Sequence, residues 1–253
     1  MYETINLVKN STGVAILTLS RPEKHNALSE KMMHEITNAI KIIGADETVR
    51  AVVLQATGKS FCAGADLNWM REQAELDRAG KIEGATVLAT MLAELNKLPK
   101  PLIGRVEGNA FGGGIGMMAV CDVVFALHNL KFALTETKLG LIPATISPFV
   151  LGKVPQAFSR QIFFSSKVFG TAFAQQAGLV SVSCSSDEMD RLIDDEINVI
   201  LKTAPQAVAK AKRLLLDLQS GDETERITTT INALADCWES DEAQTLIAKF
   251  LEG

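Results

Sequence analysis

Cysteine is scarce and scattered: the chain has four, Cys62, Cys121, Cys184 and Cys237, all far apart. With no C-x-x-C pair, neither a zinc site nor a redox dithiol is suggested, so no metal is expected. Buried free thiols in a reducing compartment are the expectation. Histidine is scarcer still, with three. His25 falls beside a helix start, His34 on a charged helix face and His128 at a strand end, and none is expected to be a general base. G-x-S-x-G is absent, so a hydrolase nucleophile has no support. An excess of positive charge is missing too: 25 Lys+Arg against 30 Asp+Glu give a net charge of -5. That balance disfavours a nucleic-acid-binding role. No run of ~18 apolar residues exists, because Pro143 and Pro148 interrupt the best candidate, so no membrane segment is expected. Residues Met1-Tyr2-Glu3-Thr4 show neither a basic n-region nor an apolar h-region, and a cytoplasmic protein is expected.

What is present is an ordinary globular composition, with 47% hydrophobic residues in 253. Tyr2 to Val8 and Val14 to Leu19 read as strands across a polar turn. Ser29 can cap a helix on which Met32, Met33, Ile36, Ile40 and Ile43 share a face. Ala51 to Ala56 reads as a buried strand. Residues 67–97 are helical in pattern, weakened by Gly80 and Gly84. Leu102 to Val106 and Val120 to Leu127 read as strands, and the pattern turns helical from about Pro155. Strand, loop and helix recur, which predicts an α/β layered fold with parallel pairing. A soft boundary near residue 200 separates a 1–200 core from a helical 201–253 tail. In that tail Ile227, Ile231, Leu234 and Trp238 share one face.

Two loops carry the chemical interest. Ser60 to Leu67 (SFCAGADL) follows a buried strand, and its small residues let a ligand approach the backbone. Alone, it reads as a tight turn with Asp66 as a helix cap. Gly108 to Gly116 (GNAFGGGIG) lies between a strand and a helix. Three consecutive glycines at a helix start cost about 1 kcal/mol each relative to Ala, so something there must require missing side chains. Close helix packing is one explanation. The other is a pair of N–H groups, one from each loop, polarising a carbonyl oxygen. A rival shares the segment: Gly114 to Ala119 fits G-x-G-x-x-A, and Glu136 follows at about the spacing of a ribose-binding acid. Glu136 lies between apolar stretches, where desolvation would raise its pKa towards useful acid/base values; pairing with Lys138 on the surface is the alternative.

Taken in order, these segments resemble the enoyl-CoA hydratase/isomerase (crotonase) superfamily. The likeness rests on Arg21-Pro22-Glu23-Lys24-His25-Asn26-Ala27-Leu28, Phe61 to Leu67, Gly108 to Gly114 with Cys121-Asp122, Glu136 to Pro143, and Ala172 to Val180. It spans essentially the whole chain. The resemblance implies an α/β spiral of ββα units with a C-terminal helical region used in trimerisation, often as a dimer of trimers. It implies acyl-CoA thioester substrates, with coenzyme A carried by the substrate and no separate cofactor. By the same likeness the thioester oxygen sits between the N–H groups of Ala65 and Gly113, and Glu136 moves the proton. Ala63, Ala65, Asp66, Leu67, Asn68 and Gly113 map onto the stretches that line the substrate, with Lys24 and Ala27 nearby.

One departure bears on mechanism. Two-glutamate hydratases of the family carry their second Glu where this chain has Gly116. Ala65 to Met70, Ala110 to Gly116 and Leu141 to Pro148 resemble the branch acting on branched, carboxylated enoyl-CoAs, which includes methylglutaconyl-CoA and carboxygeranoyl-CoA hydratases and also has Gly there. The resemblance therefore implies a single-glutamate hydratase. A Δ3,Δ2-enoyl-CoA isomerase and a non-catalytic acyl-CoA-binding member are the alternatives. A Glu placed at position 116 is expected to enter the substrate pocket.

Overall fold

The computed structural model describes residues 2–219 and 222–251. The last two residues of the expected 201–253 tail, and residues 220 and 221, lie outside these. Two sheets organise the chain. The larger has six strands in the order β1 (Ile5–Lys9), β2 (Val14–Leu19), β3 (Ala51–Ala56), β5 (Leu102–Val106), β7 (Val123–Leu127) and β10 (Val182–Cys184). Only the β1–β2 hairpin is antiparallel; the other neighbours run parallel. The smaller sheet has the order β4 (Ser60–Cys62), β6 (Asn109–Phe111), β8 (Lys131–Ala133) and β9 (Phe169–Gly170). The chain visits the large sheet, then the small one, then a helix, and repeats. This is a spiral of ββα units.

The helices follow from their sequences. α1 (Glu30–Ala45) starts where Ser29 accepts a hydrogen bond from the Met32 N–H, and it buries Met32, Met33, Ile36, Ile40 and Ile43 on one face. The stretch 67–97 is two helices, α2 (Leu67–Glu75) and α3 (Arg78–Lys97). The break falls at Leu76-Asp77 rather than at the glycines, because Asp77 caps α3 through the Gly80 N–H. α4 (Gly113–Val120) is buried along nearly its whole length, so Val120 closes a helix instead of opening β7. Gly114 to Ala119 is thus helix interior, which removes the dinucleotide-loop reading. Helical structure resumes before Pro155, with α5 (Ser147–Lys153), then α6 (Gln156–Ser165) and α7 (Thr171–Gln176).

α8 (Ser186–Ile200) packs Met189, Ile193 and Ile197 onto Phe125 and Ile103 of the large sheet. α9 (Pro205–Asp217) is tied to the core through polar groups. Lys212 Nζ bridges Asp122 Oδ2 at 2.7 Å and donates to the Lys100 carbonyl at 3.1 Å. Arg50 donates to the Thr203 carbonyl at 2.6 Å. α10 (Glu223–Trp238) and α11 (Asp241–Leu251) bury no residue, and Ile227, Ile231, Leu234 and Trp238 are more than half exposed. Among the described residues, no helix is long and apolar enough to cross a membrane.

Candidate active site

Three short strands set up the site. β4, β6 and β8 lie side by side and parallel. Their C-terminal ends therefore open on the same side, where ligands of parallel sheets commonly bind. β4 runs into Ala63-Gly64-Ala65, β6 into Gly112-Gly113, and β8 into Leu134-Thr135-Glu136.

The first loop is clamped by the segment from Arg21 to Leu28. Asn26, fully buried, accepts from the Arg21 N–H and donates to the carbonyls of Thr57 and Ser60, at 2.8 Å each. The Ala63 N–H donates to the His25 carbonyl, and the Leu28 N–H to that of Gly64 at 2.7 Å. The Asp66 N–H donates to the Leu28 carbonyl at 3.0 Å. Leu28 thus engages the residues flanking Ala65, as in a parallel bridge. The Ala65 N–H is turned away and, among the described residues, has no backbone acceptor.

Arg21 completes the clamp, reaching Asp66 Oδ2 at 2.9 Å and the Ala27 carbonyl at 2.9 Å. Burial raises the Asp66 carboxyl, but the Asn68 N–H and the Arg21 guanidinium outweigh it and hold the group below the usual carboxylate range. Asp66 is also the N-cap of α2.

The second loop reaches the first through backbone that a side chain would block. Gly112 has φ 48° and ψ −117°, a conformation for glycine. A Cβ on Gly112 would lie 3.2 Å from Glu136 Oε1 and 3.8 Å from the Gly64 Cα. A Cβ on Gly114 would lie 2.8 Å from the Cys62 carbonyl oxygen. A Cβ on Gly113 would lie 2.7 Å from Leu28 Cδ1, so each of the three glycines occupies space that a side chain would contest. Gly113 is the first residue of α4, so its N–H has no intrahelical partner.

Glu136 stands beside this junction in a 3-10 turn, Glu136–Leu139. Its Oε2 is buried without a hydrogen-bond partner. Burial pushes its carboxyl above the ordinary range, against the opposing pull of its own and the Thr135 backbone N–H groups. Lys138 does not pair with it among the described ion pairs.

A cavity of about 360 Å³ joins these parts, lined by Ala63, Ala65, Leu67, Gly113 and Glu136 together with the apolar side chains of α2 and of the 139–146 loop. Glu136 is the one titratable side chain among the described lining residues. Other expected site residues fall outside the lining. Asp66 and Ala27 are buried behind the loop as braces. Lys24 and Asn68 are exposed, and Asn68 accepts from Arg71 at 3.0 Å.

The expectation for position 116 needs correction. Gly116 is buried in α4 and does not line the cavity. A Cβ there would meet Ile146 Cγ2 at 2.8 Å and Leu92 Cδ1 at 3.3 Å. Ile146 holds that space and presents the cavity wall instead.

Two backbone N–H groups from converging glycine loops, with a desolvated carboxylate beside them, can polarise a carbonyl oxygen and exchange a proton at a neighbouring carbon. On a ββα spiral, this arrangement is suited to enolate-type chemistry. Residues 9–253 match the enoyl-CoA hydratase/isomerase family, and the chain belongs to it. That family acts on acyl-CoA thioesters. The chain is 31% identical to the 2,3-dehydroadipyl-CoA hydratase of Escherichia coli over 233 residues, 90% of this chain and 89% of that protein. The crystal structure of an enoyl-CoA hydratase from Shewanella pealeana superposes with a TM-score of 0.94 at 34% identity, covering 99% of this chain and 94% of the other. Pseudomonas aeruginosa AtuE superposes with a TM-score of 0.93 at 29% identity, covering 98% and 96%.

Arg21, Asn26, Trp69 and Ile146 were not singled out by sequence reasoning. For the first two the signal was available, since Arg21 and Asn26 belong to the quoted Arg21 to Leu28 segment. Trp69 and Ile146 lie in the Ala65 to Met70 and Leu141 to Pro148 segments as well, but as apolar residues they do not stand out from their neighbours there.

Proposed function

We propose that the protein hydrates a branched, carboxylated enoyl-CoA with Glu136 as its single acid/base. The observation that carries this is the buried Glu136 Oε2, without a hydrogen-bond partner, on a carboxylate beside the Gly64–Gly112 junction. The thioester oxygen accepts from the Ala65 and Gly113 N–H groups. Glu136 takes a proton from a water molecule as the water oxygen bonds to Cβ, and negative charge collects on the thioester oxygen. The protonated Glu136 then delivers that proton to Cα, and the enolate returns to a thioester. One carboxylate thus serves both halves of the addition.

The name of the Escherichia coli relative, a hydratase of a dicarboxylic acyl-CoA, supports the carboxylated substrate. Leu67, Ala63 and the outer face near Lys24, Ala27, Asp66 and Asn68 carry the coenzyme A portion, which arrives with the substrate. The exposed Ile227, Ile231, Leu234 and Trp238 stripe is covered by neighbouring subunits of a trimer or a dimer of trimers. The setting is the cytoplasm.

The lone carboxylate also suits Δ3,Δ2-isomerisation, in which Glu136 moves a proton between two carbons. Ultraviolet absorbance of the conjugated enoyl thioester separates the readings. Loss with methylglutaconyl-CoA supports hydration, gain with a 3-enoyl-CoA supports isomerisation, and silence with all substrates leaves binding alone.

A further inference from the structure

Among the described residues, two buried side-chain polar atoms have no hydrogen-bond partner: Glu136 Oε2 and Trp69 Nε1. Both residues line the same cavity. Glu136 is accounted for by the proton transfer; Trp69 is not. Its indole N–H can only donate, and burying a donor without an acceptor is disfavoured enough that such orphans call for an explanation. The group sits in the first turn of α2, one turn beyond Ala65, and α2 is fixed in place by the Arg21–Asp66 pair at its N-cap. The donor is thus held on the rigid element that follows the Ala65 N–H.

The remaining wall offers little competition. Leu67, Met70, Leu88, Leu139, Ile142 and Ile146 are apolar, and the described lining contains no Lys, Arg or His. A polar group on the acyl chain would find no cation there. Besides the Thr135 and Thr145 hydroxyls, its side-chain donor is the Trp69 N–H.

We propose that Trp69 is a specificity residue, its indole N–H donating to an acceptor oxygen, carboxylate or carbonyl, on the acyl chain beyond the double bond. This rests on the enoyl-CoA hydratase reading above. It assigns to a neutral donor the recognition that a salt bridge would otherwise provide.

The test uses substrates matched except for the acceptor. 2,3-Dehydroadipyl-CoA and trans-2-hexenoyl-CoA have the same chain length and differ in a terminal carboxylate against a methyl. 3-Methylglutaconyl-CoA and 3-methyl-2-pentenoyl-CoA differ in the same way on a branched chain. A 5-oxo-2-hexenoyl-CoA arm presents a neutral carbonyl. The readout is the ratio of kcat/KM within each pair, which cancels general effects on catalysis or folding. It is measured for wild type and Trp69→Phe. It is also measured for protein in which tryptophan is replaced by benzothienylalanine, a sulfur isostere lacking the N–H, in a Trp238→Phe background because the chain has 2 Trp.

Loss of the donor should lower the acceptor-to-alkyl ratio by roughly 5–100-fold in both variants. A fall confined to the carboxylate pairs identifies a carboxylate, and a fall with the oxo substrate as well identifies a carbonyl-type acceptor. An unchanged ratio in the isosteric protein overturns the assignment. If wild type hydrates the alkyl substrates without favouring any acceptor, the Trp69 assignment falls while the hydratase reading stands. If wild type hydrates none of them, it is the hydratase reading that fails.

Discussion

Placing a second carboxylate in this site should fail unless Ile146 is removed first. Gly116→Ala alone puts a methyl 2.8 Å from Ile146 Cγ2, 3.2 Å from Ile146 Cβ and 3.3 Å from Leu92 Cδ1. Both neighbours are buried; Ile146 Cγ2 can move only by a χ1 rotation that its β-branched side chain resists, and Ile146 Cβ moves only with the backbone. Overpacking of this kind costs about 1–3 kcal/mol, against a gain of about 1 kcal/mol for replacing glycine in a helix. The net for Gly116→Ala is a loss of about 1 kcal/mol. Gly116→Glu adds a longer chain and a charge to the same space and should cost more than about 3 kcal/mol. Ile146→Ala costs about 2–4 kcal/mol by itself through the cavity it leaves.

The double variant Gly116→Glu, Ile146→Ala should recover part of both losses and let the new carboxylate reach the cavity. A substrate carboxylate ~8 Å from it would then be disfavoured by about 2 kcal/mol at an effective dielectric near 20, roughly 30-fold in kcat/KM. Crotonyl-CoA lacks that charge and should hold or gain. Denaturation midpoints and kcat/KM on crotonyl-CoA and methylglutaconyl-CoA decide the matter. The packing argument is refuted if Gly116→Glu alone is as stable as wild type. The specificity argument is refuted if the carboxylated substrate gains in the double variant as much as crotonyl-CoA.

Five further outcomes are expected. Glu136→Gln should lower kcat by roughly 10²–10⁴-fold while acyl-CoA binding, read by calorimetry, stays close to wild type. Because burial raises the Glu136 pKa, the folded state keeps a proton that the unfolded chain releases, so stability is lost as pH rises from the unfolded value through the folded one. Glu136→Gln should therefore raise Tm at neutral pH and not well below pH ~4, and wild-type kcat/KM should fall with acid at a pH above the ordinary Glu range. Gly112→Ala should cut kcat by more than ~10²-fold, since its Cβ would press within 3.2 Å of Glu136 Oε1 in a backbone conformation alanine resists; activity within a few-fold of wild type would remove Gly112 from the site. Arg21→Met should cost about 3 kcal/mol by stranding the Asp66 carboxylate, and Arg21→Met, Asp66→Asn should restore much of it in urea titrations. Light scattering should show a trimer or hexamer, and a stable monomer at micromolar concentration would contradict the exposed stripe on α10 as an interface.

Much of this was legible where periodicity is strong. β2 and β3 fall where their apolar runs begin and end, and Ser29 starts α1. The two glycine loops were visible because three glycines at a helix start need a cause. What was not legible is instructive. β4, β6 and β8 have three residues each, too few to show an alternation, yet they carry all three parts of the site. Asn26 and Arg21 act through hydrogen bonds to residues more than 30 positions away, which no local pattern encodes. Ile146 and Gly116 are 30 positions apart and explain each other only once packed.

In the proposed hydration, the placement of Glu136 lets one carboxylate suffice. As a base it must take a proton from water, and a raised pKa strengthens it for that step. As an acid it must then release the proton to carbon, and the same rise makes release harder. The two demands are reconciled by how long the enolate survives. The Ala65 and Gly113 N–H groups can stabilise the developing oxyanion without reorganising, because Leu28 and the glycine backbone already hold them. A stabilised enolate persists long enough to be protonated by a nearby acid. That acid need not be a second residue, provided the carboxylate that has just taken the proton stays beside Cα. Gly112 leaves room for Oε1 there, and Ile146 lends the cavity an apolar wall. On the proposed reading Gly116 is no defect: its place is taken by Ile146, which lines the cavity where a second acid would otherwise have to enter.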